Sequence, residues 1–392
     1  MTSLDTLAVH AGRGDLSALG VHALPLDFST TNPLPSIGLG GDSYESMATG
    51  GRPTEGGLVY QRLWNPTVAR FEEGLATLER TEAAVAFSTG MASVTAAVLA
   101  AVAEHGSGGR HVVAVRPLYG GTDHLPASGT LGVETTFCTA DEVASVVRAD
   151  TCLVVLETPA NPTLELVDIA AVVGAAGAVP VLVDNTFATP VLQNPAALGA
   201  ALVLHSATKY IGGHGDAMGG VIACDERWAG ALRRVRAVTG ALLHPMGAYL
   251  LHRGLATLPL RMRAQQEGAS KLATWLVEQP GVGDVFFPGL PECDPLHPVG
   301  RQMRGPGAVL AFRVEGGYAA AARVTEAVAL FTHAVSPGGV DSLVQHPAAL
   351  THRPVASEAK PHDDLLRLSI GPEDADDLCA DLAQALAASQ LM

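Results

Sequence analysis

The sequence has 392 residues, 48% of them hydrophobic, which is enough for a large core and suggests two or three domains. A formal net charge of −15 argues against nucleic-acid binding, and the five cysteines, none paired as CxxC, argue against a disulfide framework or a zinc site. Apolar runs fall short of the ~20 residues that a membrane span needs. The N-terminus has no basic stretch followed by an apolar run, so we expect a cytoplasmic protein without a signal peptide.

The first 62 residues are predicted to be irregular, because Gly, Pro and Ser are concentrated in the segment 30–57. A segment this long is unusual as an internal connection. It is therefore either disordered or laid over a partner surface.

From Asn65 the pattern changes to alternating helices and strands. Asn65 and Pro66 are typical of the start of a helix, and apolar positions at helical spacing follow them. The continuous apolar strands that come next, separated by helices, predict a mostly parallel sheet covered on both faces. The predicted strands are 111–116, 152–157, 180–184, 201–205 and 219–224, and the predicted helices between them include 91–104, 141–148 and 167–177.

Beyond residue 250 the pattern predicts a smaller α+β domain. We therefore expect three parts: an N-terminal clasp at 1–62, an α/β domain at 63–250 and a C-terminal domain at 251–392. The elements predicted in the last part are helices at 263–279 and 317–330, strands near 284–287, 308–314 and 365–370, and a final helix from Pro372.

Unusual residues collect where the predicted strands end. Asp184 ends one strand, and the neighbouring strand runs into Lys209, one of only three lysines in the chain. Ligands of parallel α/β sheets bind beyond the carboxyl ends of the strands. Tyr119 follows another strand, and residues 88–93 precede a strong helical pattern, whose free N–H groups would bind an anion. One edge of the sheet therefore gathers a lysine, a carboxylate, an aromatic ring and a phosphate site.

Those groups are what pyridoxal phosphate (PLP) requires. The cofactor needs a lysine for its aldehyde and a carboxylate that keeps its ring nitrogen protonated. A metal site is not predicted, because the histidine spacings fit neither HExxH nor a Cys/His cluster. The fourteen histidines include His205, His214, His346, His352 and His362.

These motifs resemble the Cys/Met-metabolism family of PLP-dependent enzymes, the group of cystathionine γ-lyase, methionine γ-lyase and cystathionine γ-synthase. The resemblance runs from about residue 6 to the C-terminus and rests on HSATKYIGGHGD, VDNTFATP, STGMAS, LYGGT and ETPANP. It implies the PLP-dependent transferase fold type I, which is aspartate aminotransferase-like. The residues it implies are Lys209 for the covalent link, Asp184 for the ring nitrogen, Tyr119 for stacking, Asn161 for the phenolic oxygen with Glu157 in support, and Thr89, Gly90, Met91, Ser206 and Thr208 around the phosphate.

Further matches imply the substrate pocket and an oligomer. VYQRLWNPT resembles the motif in which Tyr60 and Arg62 reach the phosphate of the neighbouring subunit, so a homotetramer of catalytic dimers is implied. RLSIGPED places Arg367 at the substrate α-carboxylate, which suits a planar bidentate donor. Ser336 and Thr351 fall in the stretch that resembles the rest of the pocket.

The resemblance implies γ-elimination from a γ-substituted amino acid, with γ-replacement or a specialised biosynthetic reaction as alternatives. Lys209 would act as the base and Tyr119 as the acid for the departing γ-group. Val59 and Val335 stand where cystathionine γ-lyases carry acidic residues, which favours an apolar or neutral γ-group. The chain also departs from the family pattern at Gly121, where methionine γ-lyases carry cysteine, at Gly215, where serine is usual, and at Pro337, where leucine is usual. We expect Gly215, Pro337 and the two valines to mark the substrate pocket. A non-catalytic scaffold is disfavoured by the intact PLP residues.

Overall fold

The computed structural model describes residues 2–106, 108–351 and 360–390; His352, considered above as a metal ligand, lies outside them. The α-helices are α1 (Leu4–His10), α2 (Ile37–Ala48), α3 (Pro66–Glu79), α4 (Gly90–His105), α5 (Gly120–Ala127), α6 (Val143–Val146), α7 (Ile169–Ala176), α8 (Thr189–Leu192), α9 (Glu226–Thr239), α10 (Pro245–Leu255), α11 (Leu258–Val277), α12 (Gly317–Ala327) and α13 (Ala375–Ser389). The strands are β1 (Ala83–Phe87), β2 (His111–Val115), β3 (Glu134–Cys138), β4 (Thr151–Glu157), β5 (Val181–Asp184), β6 (Leu202–Ser206), β7 (Gly220–Cys224), β8 (Val282–Phe286), β9 (Val309–Val314), β10 (Thr332–His333), β11 (Leu343–Gln345) and β12 (Leu365–Ser369).

The larger sheet confirms the predicted mostly parallel architecture. Its order is β1-β7-β6-β5-β4-β2-β3, and all the pairs from β6 to β3 are parallel. Strand β7 runs antiparallel to both β6 and β1. Two separate apolar clusters lie on the two faces of this sheet. One contains Val183 and Val203, and the other contains Leu182 and Leu204. Side chains therefore alternate between the faces along each strand, as the pleat requires.

The C-terminal part builds the predicted α+β unit. A five-stranded sheet in the order β10-β11-β12-β9-β8 packs against α11 and α12. Helix α12 ends at Ala327, not at residue 330 as predicted. The reason is Asp381, whose carboxylate accepts the backbone N–H groups of residues 329 to 331 and so stabilises a turn there.

The prediction of an irregular N-terminal segment was wrong for α1 and α2. Each begins at a serine whose hydroxyl accepts a backbone N–H: Ser3 from Thr6 and Ser36 from Leu39. Such caps offset the low helix propensity of the glycines in α2. Composition alone concealed these helices.

Three further differences have local causes. Strands β1 and β3 were not predicted, because the alanine-rich AAVAF and the half-exposed ETTFC lack a clear strand pattern. The helix predicted at 141–148 is reduced to α6, preceded by a 3₁₀ turn at Ala140–Glu142. Within the described ranges, no helix is both long and apolar enough to cross a membrane, and no group of three potential metal ligands occurs.

Candidate active site

A cavity of about 330 Å³ opens at the carboxyl ends of the parallel strands. It brings together most of the residues singled out from the sequence, although they are spread over more than 270 positions of the chain. Those in its lining are Thr89, Gly90, Met91, Tyr119, Glu157, Asn161, Asp184, Ser206, Thr208, Lys209, Val335, Ser336, Pro337, Thr351 and Arg367.

Val59, Tyr60 and Arg62 do not line this cavity. Val59 packs beside a small apolar cluster, and Tyr60 is largely exposed. Arg62 lies over the Tyr60 ring at 5.5 Å and donates to the carbonyl of Ala237. Their expected contact with a neighbouring subunit remains a prediction.

One end of the cavity suits a phosphate group. Helix α4 begins there, capped by Thr89, whose Oγ1 accepts the N–H of Ala92 at 3.0 Å. A Cβ atom at Gly90 would lie 3.0 Å from the Cβ of Ser206, so glycine keeps the helix start close to β6. The Thr208 hydroxyl lies on the same side and is bonded to the backbone of Gly219. A helix N-terminus with flanking hydroxyls attracts a dianion through its free N–H groups and its dipole.

Asp184 is the buried acid of the site. Its Oδ1 accepts the backbone N–H of Thr186 at 3.0 Å and the hydroxyl at 2.5 Å, while Oδ2 has no hydrogen-bond partner among the described residues. Burial raises the pKa of Asp184, and the Thr186 hydroxyl opposes that shift. A protonated ring nitrogen placed at Oδ2 would satisfy this carboxylate and keep it ionised. The residue therefore fits the role predicted for it.

Glu157 links two of the loops around the cavity. Its Oε2 accepts the backbone N–H of Tyr119 at 2.6 Å, and its Oε1 accepts that of Asn161 at 3.0 Å. Burial, together with the nearby Asp184, raises the pKa of Glu157 to about 8. The Glu157 carboxyl group thus fixes the backbone positions of Tyr119, after β2, and of Asn161, after β4, relative to each other.

Lys209 follows β6 in the turn after Ser206. Its Nζ donates to the Ser336 hydroxyl at 2.6 Å. Burial, with a contribution from Arg367, lowers the pKa of Lys209 to about 8, although Asp184 opposes the shift. A lysine in this state supplies an appreciable fraction of neutral amine near neutral pH, as a nucleophile and base must.

The loop that carries Ser336 is tightly confined. Ser336 has φ 80°, a left-handed conformation that is uncommon for any residue but glycine. Gly338 must be glycine, since its φ is +103° and a Cβ there would lie 2.6 Å from the backbone nitrogen of Tyr210. Gln265 and Ser369 hold the loop through its backbone. The hydroxyl opposite Lys209 is therefore well fixed.

Arg367 is a buried cation without an acidic partner among the described residues. It lies on β12, and its guanidinium donates to the side-chain oxygens of Asn161 and Gln345. Burial lowers the pKa of Arg367 to about 10, so the group stays charged at neutral pH. Neutral amides orient the guanidinium without cancelling its charge, which leaves it able to bind a carboxylate.

Sequence reasoning missed Gln345 and Phe187. Gln345 orients Arg367 and also donates to the Thr351 hydroxyl at 2.8 Å. A lone glutamine on a short strand carries no motif, and only its pairing opposite Arg367 in β11 and β12 reveals it. Phe187 lines the cavity three residues after Asp184 and could have been found as the apolar residue of VDNTF.

The three unusual positions differ in their relation to the cavity. At Gly121, a Cβ would lie 2.7 Å from Cε1 of Tyr119, so this glycine leaves room for the ring. Pro337 lines the cavity directly. Gly215 does not, and its φ of +69° with no atom within 4 Å of a Cβ explains the glycine by backbone conformation. The idea that Gly215 marks the substrate pocket therefore finds no support in its position.

The fold is of type I, and one cavity holds a lysine, a carboxylate for the ring nitrogen and a phosphate site. Lys209, Asp184 and the start of helix α4 therefore fit PLP, and the cavity is that of a PLP-dependent enzyme. The model of the Cys/Met metabolism PLP-dependent enzyme family matches residues 5–387, and the chain belongs to that family. It is 59% identical to an L-methionine gamma-lyase of Brevibacterium aurantiacum, over 100% of this chain and 96% of that protein. Identity to an L-methionine gamma-lyase of Streptomyces avermitilis is 50%, over 99% and 90% of the two chains. The solved structure of a cystathionine gamma synthase from Xanthomonas oryzae pv. oryzae, in complex with aminoacrylate and cysteine, is 35% identical with a TM-score of 0.88, over 100% and 99% of the chains.

Proposed function

We propose that the protein is a PLP-dependent lyase that uses water to cleave L-methionine to 2-oxobutanoate, ammonia and methanethiol. The observation that carries the proposal is the apolar part of the cavity wall: Val335 and Phe187 are apolar, and the two acidic side chains in the lining, Glu157 and Asp184, already accept backbone N–H groups. A distal ammonium group on the substrate would lose its hydration there without gaining a charged partner. A methylthio group is apolar and can be buried there at no such cost. The identity of 50–59% to two L-methionine gamma-lyases supports the same substrate.

The residues of the cavity divide the work. PLP, when bound, supplies an electron-accepting ring that allows bonds at the α and β carbons of an amino acid to break. Arg367 holds the substrate α-carboxylate, and Asn161 orients the guanidinium. Lys209 would move the proton from the α carbon to C4′ of PLP and then, as a free base again, remove one from the β carbon, for which its lowered pKa suits it.

Departure of the γ-group needs a proton donor on the other side of the substrate. Tyr119 is the candidate, since its ring borders the cavity and its backbone is anchored by Glu157. The phenol donates a proton to the sulfur as the carbon–sulfur bond breaks, and methanethiol leaves. Asp184 keeps the ring nitrogen protonated throughout.

The assembly we propose is a cytoplasmic homotetramer of catalytic dimers. In it, the N-terminal clasp at 1–62 covers the neighbouring subunit, and Tyr60 and Arg62 complete that subunit's phosphate site. The exposure of Tyr60 and the absence of both residues from their own chain's cavity support this arrangement. The α/β part at 63–250 and the C-terminal part at 251–392 then act as the cofactor and substrate domains.

A substrate panel tests the proposal. The purified enzyme with PLP is incubated with L-methionine, L-cystathionine or O-acetyl-L-homoserine, each with and without cysteine, while 2-oxobutanoate and methanethiol are measured. We expect 2-oxobutanoate and methanethiol in equal amounts from methionine, at the highest kcat/KM of the panel. Faster release from cystathionine would contradict the apolar-wall argument. Formation of cystathionine from O-acetylhomoserine plus cysteine as the main reaction would establish γ-replacement instead.

A further inference from the structure

A buried polar cluster lies directly behind the cofactor site, on the opposite face of the large sheet. In β6, Leu204 and Ser206 line the cavity, so His205 between them points to the other face. The same alternation at the end of β5 sends Asp184 into the cavity and Asn185 away from it. His205 and Asn185 are both almost fully buried and thus meet behind the residues that would hold the cofactor.

Glu79, the last residue of α3, connects these two side chains. Its Oε1 accepts from His205 Nε2 at 2.6 Å and from Asn185 Nδ2 at 2.9 Å. Its Oε2 accepts from Asn194 Nδ2 at 3.1 Å. The carboxyl group is completely buried, and both of its oxygens accept hydrogen bonds from side-chain amides. An acceptor-only carboxylate requires a proton on His205 Nε2.

Only one of the two ring nitrogens of His205 makes a hydrogen bond to a described residue. Its Nδ1 is buried and has no hydrogen-bond partner among the described residues, so Glu79 alone sets the tautomer and the orientation of the ring. Arg304 interacts with Glu79 electrostatically, but its guanidinium donates to Asn194 and not to Glu79 itself. A buried carboxylate without a lysine or arginine partner depends on the imidazole for compensation.

The cluster is connected to the cofactor side through the strand ends. Asn185 N donates to the carbonyl of Leu204, and Ser206 N donates to the Thr186 hydroxyl that also contacts Asp184. The strand ends that carry His205 and Asn185 are therefore tied to Asp184 and Ser206 by hydrogen bonds.

We propose that Glu79 and His205 form a positioning pair, which acts through the ends of β5 and β6 to hold Asp184 at the ring nitrogen of PLP and Ser206 at its phosphate. Neither residue touches the cofactor. The inference rests on the proposed role of Asp184, so wild-type protein must first show a protonated ring nitrogen. If wild type binds PLP with that nitrogen unprotonated, the role of Asp184 fails, and not the pairing behind it.

The test uses PLP labelled with ¹⁵N in its ring, bound to wild type, Glu79→Gln, His205→Gln and Asn194→Ala. Gln at position 79 loses the charge, and Gln at position 205 keeps a donor to Glu79 but loses the imidazole. For Glu79→Gln we expect PLP affinity to fall about tenfold, the size of one lost hydrogen bond to a charged group, and for His205→Gln, which keeps a donor to Glu79, we expect a smaller fall. We also expect the solid-state ¹⁵N resonance to move towards the unprotonated ring. Asn194→Ala, which leaves the His205 bond intact, should keep the wild-type resonance.

Two results would overturn the proposal. The first is a wild-type resonance and PLP affinity in both Gln variants, accompanied only by a lower melting temperature, because a packing role predicts that pattern. The second does not depend on the folding of any variant: neutron diffraction of wild-type crystals locates the protons directly. A bare His205 Nε2 that faces an unprotonated Glu79 oxygen would remove the bond on which the positioning depends.

Discussion

The amine of Lys209 lies 2.6 Å from the hydroxyl of Ser336, although the two residues are 127 positions apart in the chain. The lysine follows a strand of the large sheet, and the serine belongs to the loop between β10 and β11 of the small one. This hydrogen bond therefore joins the two sheets at the reacting amine. The left-handed conformation at Ser336 aims the hydroxyl inward.

Removal of that hydroxyl should impair catalysis more than folding. Ser336→Ala leaves the Lys209 amine without its acceptor, so we expect kcat/KM for methionine to fall about tenfold, in line with a hydrogen bond to a charged donor. Steady-state kinetics and thermal unfolding measure the two effects. Ser270→Ala is the matched control, because the Ser270 hydroxyl donates to the carbonyl of Gln266 within helix α11, away from the cavity. An equal loss of activity in both variants would contradict the prediction.

The lowered pKa of Lys209 predicts unusual reactivity in PLP-free protein. A pKa of about 8, against 10.5 for an ordinary lysine, makes half of the amine neutral near pH 8 and nearly all of it neutral by pH 10. Lys271 is an internal control, since its hydrogen bond to Asp376 raises its pKa. Reductive methylation followed by peptide mass spectrometry should show labelling of Lys209 rising at least one pH unit earlier. Identical pH profiles for the two lysines would contradict the shift.

Gln345 should prove important for substrate binding. Gln345→Glu would place a carboxylate against the Arg367 guanidinium and neutralise the charge that the substrate needs. We expect KM for methionine to rise at least about tenfold with little change in melting temperature, because a buried ion pair replaces a hydrogen bond. Gln266→Glu is the control, as its Oε1 accepts from Gly307 and a carboxylate can do the same. An unchanged KM in Gln345→Glu would show that Arg367 does not bind the carboxylate.

The sequence predicted residues that follow strands better than residues that lie within them. Asp184 and Lys209 could be placed because parallel strands end at one edge of a sheet, so chain position implies spatial position. Gln345 could not, because its role depends on which strand pairs with β12 in the second sheet. Strand β1 was not predicted for a related reason: its alanine-rich sequence has a low intrinsic strand propensity, and it forms a buried strand because it pairs with β7. Propensity is local, whereas both errors concern long-range pairing.

The lack of space around Gly121 should make larger residues at this position unfavourable for catalysis. In Gly121→Cys, the new Cβ would lie 2.7 Å from Cε1 of Tyr119 and 3.0 Å from Sδ of Met91, so the aromatic ring must move. Displacement of a proton donor by about 1 Å costs on the order of 10²-fold in rate, and we expect kcat to fall by at least tenfold. Gly174→Cys, an exposed helical position with no atom within 4 Å, is the control. A kcat at or above the wild-type value would show that Tyr119 is not held where the reaction needs it.

Glu157 should make the PLP-free protein less stable as the pH rises. Its pKa is raised to about 8 in the folded chain, mainly by burial, so the folded state binds more protons than the unfolded state between about pH 4.5 and 8. The stabilisation from this group is complete below pH 4.5 and is lost as the pH rises through 8. Glu157→Gln removes the titration, so the free energy of unfolding of the variant should fall less between pH 4.5 and 8.

At pH 5 the Glu157→Gln variant should be less stable than wild type by about 1–3 kcal/mol, because its amide donor faces one of the N–H groups of Tyr119 and Asn161. Urea denaturation from pH 5 to 8 measures both effects, with the exposed Glu292→Gln as the control; parallel curves for wild type and Glu157→Gln would contradict the assignment.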